Sequence, residues 1–177
     1  TQVENLYGVE SDGSKAEKQN LLPLGFSITY RKNRPFPHTL HLVPKTVVLG
    51  IGCKRGTEAE SIRALIRETL EQNQIFKESI CLIASIDLKK DEEGIRICAE
   101  ELGVPFVTWS AEELEQVRSE DGFTESEFVR SVAGVGNVCE RSALKGAGTS
   151  RLLIRKTAHN GVTVAAAVKD YTVCMED

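Results

Sequence analysis

From Pro44 onward the chain alternates between short unbroken apolar runs and longer stretches with helical spacing. Residues 46–51, Thr-Val-Val-Leu-Gly-Ile, and 80–86, Ile-Cys-Leu-Ile-Ala-Ser-Ile, are continuous and rich in β-branched side chains. That is the pattern of strands covered on both faces. Between them, Ile62, Leu65, Ile66 and Leu70 recur at helical intervals to Gln72, and Thr57-Glu58-Ala59-Glu60 has the form of a capping box. A helix is therefore predicted over 57–72. Ile95, Cys98, Ala99 and Leu102 share the face of a second helix, and Gly103 stands where a C-terminal cap favours glycine. Val104 to Trp109 predict a third strand. Ser110-Ala-Glu-Glu113 and Thr124-Glu-Ser-Glu127 are two more capping boxes, the latter opening a helix that contains Phe128, Val129 and Val132. Gly134 and Gly136 interrupt that helix. Val138, Ala143, Leu144 and Ala147 then line another, with Asn137 as its N-cap.

The last elements are strand-like runs at 151–157 and 162–169, joined around Asn160-Gly161, a strong hairpin signal. In the second run Val162, Val164, Ala166 and Val168 point one way. Thr163, Ala165 and Ala167 point the other, and that side is small rather than polar. Both faces read as covered, so the hairpin extends the main sheet. Strands alternating with helices imply βαβ units and a parallel sheet with right-handed crossovers. The predicted fold is α/β, a three-layer α/β/α sandwich with a mixed, mostly parallel sheet and a C-terminal β-hairpin.

Residues 1–43 follow a different pattern. Residues 1–20 are mostly polar, and Ser11-Asp-Gly-Ser-Lys15 reads as loop. One short strand is possible within 24–31, after which Arg34-Pro35-Phe36-Pro37 breaks regular structure. The division expected is a linker, or tail of a preceding domain, over 1–43 and an α/β domain over 44–177.

Composition narrows the function classes. The chain has 177 residues, 41% apolar and 27% charged, enough for one domain with a real core. A net charge of −4 and a pI near 5.5 argue against charge-driven nucleic-acid binding. No apolar run approaches the roughly 20 residues of a membrane helix, and no secretory signal is present. The five cysteines, Cys53, Cys81, Cys98, Cys139 and Cys174, are odd in number and form no CxxC pair. They fit a reducing, cytoplasmic setting better than a disulfide framework. His38, His41 and His159 lack ligand spacing with them, so no metal site is expected. The only Met is Met175, so the chain begins at a trimmed Met or is a piece of something longer.

Three segments carry candidate chemistry. Gly50-Ile-Gly52-Cys53-Lys54-Arg55-Gly56 links the first strand to the first helix. Its backbone amides at a helix start, with Lys54 and Arg55, suit an anion, and Arg55 can grip a carboxylate or phosphate with two bonds. The spacing is GxGxxxG rather than the dinucleotide GxGxxG, and the strand-end acid, Asp87, lies 35 residues beyond Gly52 instead of about 20. A tight turn with two solvated cations explains the segment equally well.

The second segment, Ser85-Ile-Asp87-Leu-Lys89-Lys-Asp-Glu-Glu93, falls at the same carboxyl edge, where open α/β sheets bind ligands. Ser85, Asp87 and Lys89 project together if the segment is extended. Asp87 is a candidate general base, or it orients Lys89 or Arg55. Asp91, Glu92 and Glu93 read as complements of a helix N-terminus. In the third segment, Gly134 to Ala143, Glu140 either completes a box with Asn137 or enters the cleft as acid or base. Cys139 has no His placed to activate it and reads as a buried thiol.

Taken together these segments resemble the C-terminal domain of the cobalamin-biosynthesis protein CbiG. The matching stretches are Pro44-Lys-Thr46 leading into Gly50–Gly56, Ser85 to Glu92, Gly103-Val-Pro-Phe106, Glu113-Leu114, Ser126 with Phe128-Val129, Gly134-Val135 through Val138-Cys-Glu140, Lys156, and Thr163-Val-Ala165. They run over about residues 44–169. CobE of the aerobic pathway is a stand-alone version of the same domain.

The resemblance implies the hydrolase that opens the ring-A lactone of cobalt-precorrin-5A and releases acetaldehyde, giving cobalt-precorrin-5B. It implies N-terminal and middle domains beyond this chain, and other cobalamin-pathway enzymes as possible partners. It implies no resident cofactor, because cobalt arrives inside the substrate. The resemblance does not assign roles; the chemistry of such a substrate makes Asp87 or Glu140 the candidate catalytic base, Lys54, Arg55, Lys89 and Lys156 carboxylate partners, and Gly52, Cys53, Gly56 and Ser85 further candidates to face the substrate. Two alternatives stand beside the enzyme: a non-catalytic corrinoid carrier, and a nucleotide-binding domain using the glycine turn.

Overall fold

The computed structural model describes residues 24–173. The loop expected over 1–20, Cys174, Met175 and the side chain of Phe128 lie outside the described residues. Its main body is a five-stranded sheet in the order β5-β4-β3-β7-β6. The strands are β3 (Val47–Cys53), β4 (Ile80–Ile86), β5 (Phe106–Trp109), β6 (Leu152–His159) and β7 (Val162–Val168). β3, β4 and β5 are mutually parallel, while β7 runs antiparallel between β3 and β6. Four of the five strands therefore point the same way, giving the mixed, mostly parallel α/β sheet the pattern predicts.

The alternation along β3 and β7 sorts the core into two layers. Val47, Leu49, Ile51, Val162, Val164 and Ala166 pack in one cluster with α1 (Ala59–Gln72) and α2 (Glu93–Leu102). Val48, Ala165 and Ala167 pack in a second cluster with Cys139, Ala143 and Leu144 of α5 (Val138–Ala147). The small second face has a geometric cause. α5 lies so close to β3 that a methyl group on Gly50 would run into the Cys139 carbonyl. Gly50 serves helix packing, not a ligand.

Asn160 and Gly161 both hold positive φ, as a two-residue hairpin turn requires. Gly103 closes α2 in the left-handed conformation. Of the three capping boxes, only that of α3 (Ala111–Glu115) forms, with Ser110 and Glu113 exchanging hydrogen bonds of 3.2 and 3.0 Å. At α1 the N-cap is Glu58 without a side-chain cap, because the Thr57 hydroxyl turns back to donate to the Lys54 carbonyl at 2.7 Å. At α4 (Glu127–Ala133) the cap is Ser126, because Thr124 is drawn away to Glu140.

Within 24–43 the structure adds what the prolines concealed. β1 (Leu24–Ile28) and β2 (His38–Leu42) form a two-stranded parallel sheet, with Pro35 and Pro37 confined to the connection. The strand expected over 24–31 is present, but its partner was not anticipated. Backbone bonds from Phe76 to Tyr30 (2.9 Å) and from Lys32 to Gln74 (2.6 Å) tie this segment to the loop after α1.

Candidate functional site

The carboxyl ends of β3 and β4 gather the glycine turn, the 87–92 loop and the β6–β7 turn at one edge. β3 ends opposite the start of β7, with Cys53 paired to Val162. The Lys54 amide donates to the Gly161 carbonyl at 3.2 Å, and the Thr163 hydroxyl to the Gly52 carbonyl at 3.2 Å. The start of α5 is here too, since Val138 is the next neighbour over Gly52. The first turns of α1, α2 and α5 thus lie at the carboxyl edge, where their dipoles favour negative charge.

Lys54 and Arg55 are both exposed, and neither has a carboxylate partner among the described residues. Gly56 takes φ +72° with open space around it, which lets the turn present its backbone. Its N–H is occupied, however. Glu92, only 8% exposed, accepts from the Gly56 amide at 2.6 Å with one carboxylate oxygen and from Lys89 Nζ at 3.1 Å with the other. Burial pushes the Glu92 pKa up, but the Lys89 ammonium and the Gly56 and Thr57 amides outweigh it and hold the pKa below the usual value. Glu92 is the residue that sequence reasoning missed. An acid beside a helix start looks generic, and nothing local shows that it reaches a turn 36 positions away.

The expected alternation of Ser85, Asp87 and Lys89 does not occur. The chain leaves its extended conformation after Ile86 and forms a single 3-10 turn over Asp87–Lys89, closed by Lys90 N–H donating to the Asp87 carbonyl at 3.0 Å. Ser85 is fully buried, and its hydroxyl donates to the Ile51 carbonyl at 2.7 Å. It joins β4 to β3 and presents nothing to a ligand. Asp87 is exposed at the tip of the edge, beside the exposed Leu88. Cys53 is half-buried, and burial raises its pKa against the lowering effect of Lys89.

Glu140 is placed differently from the cleft acid that one reading expected. It is wholly buried. Its carboxylate accepts from Thr124 N–H (2.9 Å), the Thr124 hydroxyl (3.2 Å), Asn137 Nδ2 (2.7 Å) and Lys156 N–H (2.8 Å). The Asn137 side chain in turn accepts from the Glu140 amide at 2.9 Å, as an N-cap should. The β6–β7 register is irregular between Ile154 and Thr157, and there the Lys156 amide bonds to Glu140. Cys139 is fully buried, and burial pushes its thiol up to about 11, so it is no thiolate at neutral pH.

Among the described residues no cluster of His, Cys, Asp or Glu is arranged for a metal ion. No described helix is long and apolar enough to cross a membrane. A groove of about 430 Å³ is lined by Ile66, Leu70, Leu102 and Arg67 of α1 and α2, and it shares no residue with the carboxyl edge.

The family model described as "Cobalamin synthesis G C-terminus" matches residues 47–167, which take in all five strands of the main sheet but for Val168. The chain belongs to this family. It is 38% identical over 134 residues to the cobalt-precorrin-5A hydrolase of Salmonella typhimurium, covering 76% of this chain and 37% of that protein. It is 34% identical over 128 residues to the corresponding hydrolase of Priestia megaterium, covering 72% and 33%. The chain thus spans about a third of the length of these relatives. The crystal structure of CobE, a protein from the cobalamin biosynthetic pathway, superposes with a TM-score of 0.64 at 31% identity, over 71% of this chain and 91% of CobE. The Cobalamin synthesis G C-terminal fold is thus nearly the whole of CobE and a fraction of the hydrolases.

Proposed function

We propose that this chain is the domain of a cobalt-precorrin-5A hydrolase that receives the carboxylate rim of the macrocycle at the carboxyl edge of the sheet. The observation that carries this reading is the pair of exposed cations Lys54 and Arg55 on a glycine turn, without a carboxylate partner among the described residues, beside the exposed Asp87 and Leu88. A precorrin is a flat macrocycle rimmed by acetate and propionate groups. Arg55 grips one carboxylate with two bonds, Lys54 neutralises another, and Leu88 meets the apolar ring face. Lys156, half-buried on β6, is a further carboxylate partner.

In the hydrolytic step a water molecule adds to the lactone carbonyl and the ring C–O bond breaks, giving a carboxylate and an alcohol. Asp87 takes the proton from the attacking water, and the cationic turn stabilises the negative oxygen of the tetrahedral intermediate. The alcohol then gives its proton to water and the C–C bond joining it to the macrocycle breaks, so acetaldehyde leaves and the electron pair of that bond stays on the macrocycle. Glu140 acts at a distance, fixing the start of α5 against β6, rather than exchanging protons. The remaining two-thirds of the related hydrolases supply the other walls of the site. Cobalt belongs to the substrate.

One observation favours a second reading. CobE is almost entirely this domain, which suits a module that binds a corrinoid without transforming it. The nucleotide reading has less behind it, because the glycine turn has neither the dinucleotide GxGxxG spacing nor an acid about 20 residues on. The experiment is an anaerobic titration with cobalt-precorrin-5A, following the absorbance spectrum and trapping acetaldehyde. Saturable spectral change with acetaldehyde is the result expected of the enzyme. Spectral change alone identifies the binding module, and no spectral change overturns the corrinoid reading.

A further inference from the structure

The carboxyl edge holds an ammonium that its own chain has neutralised. Lys89 is 15% exposed, and its Nζ lies 3.1 Å from Glu92, which is 8% exposed. The other Glu92 oxygen takes the Gly56 amide at 2.6 Å, so one side chain joins the 87–92 loop to the glycine turn. Everything that binds Glu92 here is what binds a carboxylate in general: backbone N–H groups at a helix start and a lysine. Lys54 and Arg55, directly before Gly56, have no such carboxylate among the described residues.

We propose that Glu92 is a positioning residue that stands in for a substrate carboxylate, holding Lys89 and the Gly56 amide in a self-satisfied state from which the substrate displaces it. This rests on the reading of the edge as a carboxylate-binding site and deepens it. The macrocycle first meets Arg55 and Lys54, which are exposed. One of its carboxylates then exchanges with Glu92 for Lys89 and the Gly56 amide, and Glu92 swings into solvent. The exchange conserves the number of charge-assisted bonds, so it reshapes the loop at little net cost. Because Asp87 sits on the same short turn as Lys89, the exchange couples arrival of the substrate to the placement of Asp87.

The sign of the effect separates this role from a merely structural one. Glu92→Gln keeps the acceptor on the Gly56 amide but removes the competing charge. If the binding-competent state is a minor one, weakening its competitor raises apparent affinity. We expect Glu92→Gln to bind cobalt-precorrin-5A about five- to tenfold more tightly than wild type, and Lys89→Gln to bind it more weakly. A folded Glu92→Gln that binds equally or more weakly overturns the displacement, while leaving the corrinoid reading intact.

If neither wild type nor variant binds the macrocycle, the corrinoid reading fails and a second measurement still decides the role of Glu92. Glu92→Ala is titrated with acetate, following the Gly56 and Thr57 amide resonances by NMR. Saturable shifts in the variant, absent in wild type, support the stand-in. Flat resonances in both overturn it.

Discussion

Two glutamates sit near helix starts at the carboxyl side of this sheet, and they do opposite things. Glu140 is wholly buried, and its four closest donors are neutral groups of the chain: two backbone amides, a hydroxyl and a carboxamide. Among the described residues the nearest cation is Arg155, at 3.9 Å. Glu92 keeps a small exposed surface and is balanced by one ammonium and the turn amides. A charge solvated by fixed neutral dipoles cannot leave without stranding all of them, so Glu140 is a staple between the 124 loop, α5 and β6. A charge balanced by one ammonium at a partly exposed edge is the one proposed to be exchanged for another anion. Burial alone does not mark a functional carboxylate; the charge and exposure of its partners matter as much.

The largest expected effect comes from removing the staple. Glu140→Ala strands the Thr124 and Lys156 amides and should cost about 3 kcal/mol or more, read as a lower urea midpoint. A variant with the wild-type midpoint would erase the contrast with Glu92. Next, Gly50→Ala forces a methyl group against the Cys139 carbonyl and should cost roughly 1–3 kcal/mol through displacement of α5. Gly56→Ala sets strain without crowding, since φ is +72° and the space is open, and should cost about 1–2 kcal/mol. A Gly56 variant less stable than the Gly50 variant would reverse this ordering.

Arg55→Ala leaves stability unchanged, because the side chain is exposed and has no partner among the described residues, and weakens macrocycle binding about tenfold or more, the order of its charge-assisted hydrogen bonds. Equal affinity in a folded variant would remove Arg55 from the site. The smallest effect is a pH dependence. The pKa of Glu92 is depressed in the folded state, so its contribution to stability is present above the ordinary value of 4.5 and fades as pH falls below it. Between about pH 5 and pH 3 wild type should therefore lose more stability than Glu92→Gln. Parallel losses would show that Glu92 is no better off folded than unfolded.

How much of this was legible in the sequence depends on how local each feature is. The β-branched runs at 46–51 and 80–86, the Asn160-Gly161 hairpin and the small face of β7 each carry their own signal, and all four appear where the pattern places them. The capping boxes were half-legible. Thr57 and Thr124 have the right residue type and spacing, but each is taken by a tertiary or turn partner that a four-residue window cannot contain. β2 was hidden because Pro35 and Pro37 dominate its neighbourhood, although they affect only the connection. Within the candidate site, exposure of Arg55, Lys54 and Asp87 at one edge follows from their positions after strands. The burial of Ser85 does not, since it depends on the Ile51 carbonyl across the sheet. Nor does the reach of Glu92 to Gly56, which only the packing of α2 against α1 creates.

The most direct test is a map of where the macrocycle lands. Amide resonances of the protein are followed during anaerobic addition of cobalt-precorrin-5A. Saturable shift or broadening is expected to centre on Gly52 to Thr57 and Asp87 to Glu92, with the α1–α2 groove around Leu70 and Leu102 unaffected. Perturbation confined to that groove, or none at the carboxyl edge, would contradict a binding site there.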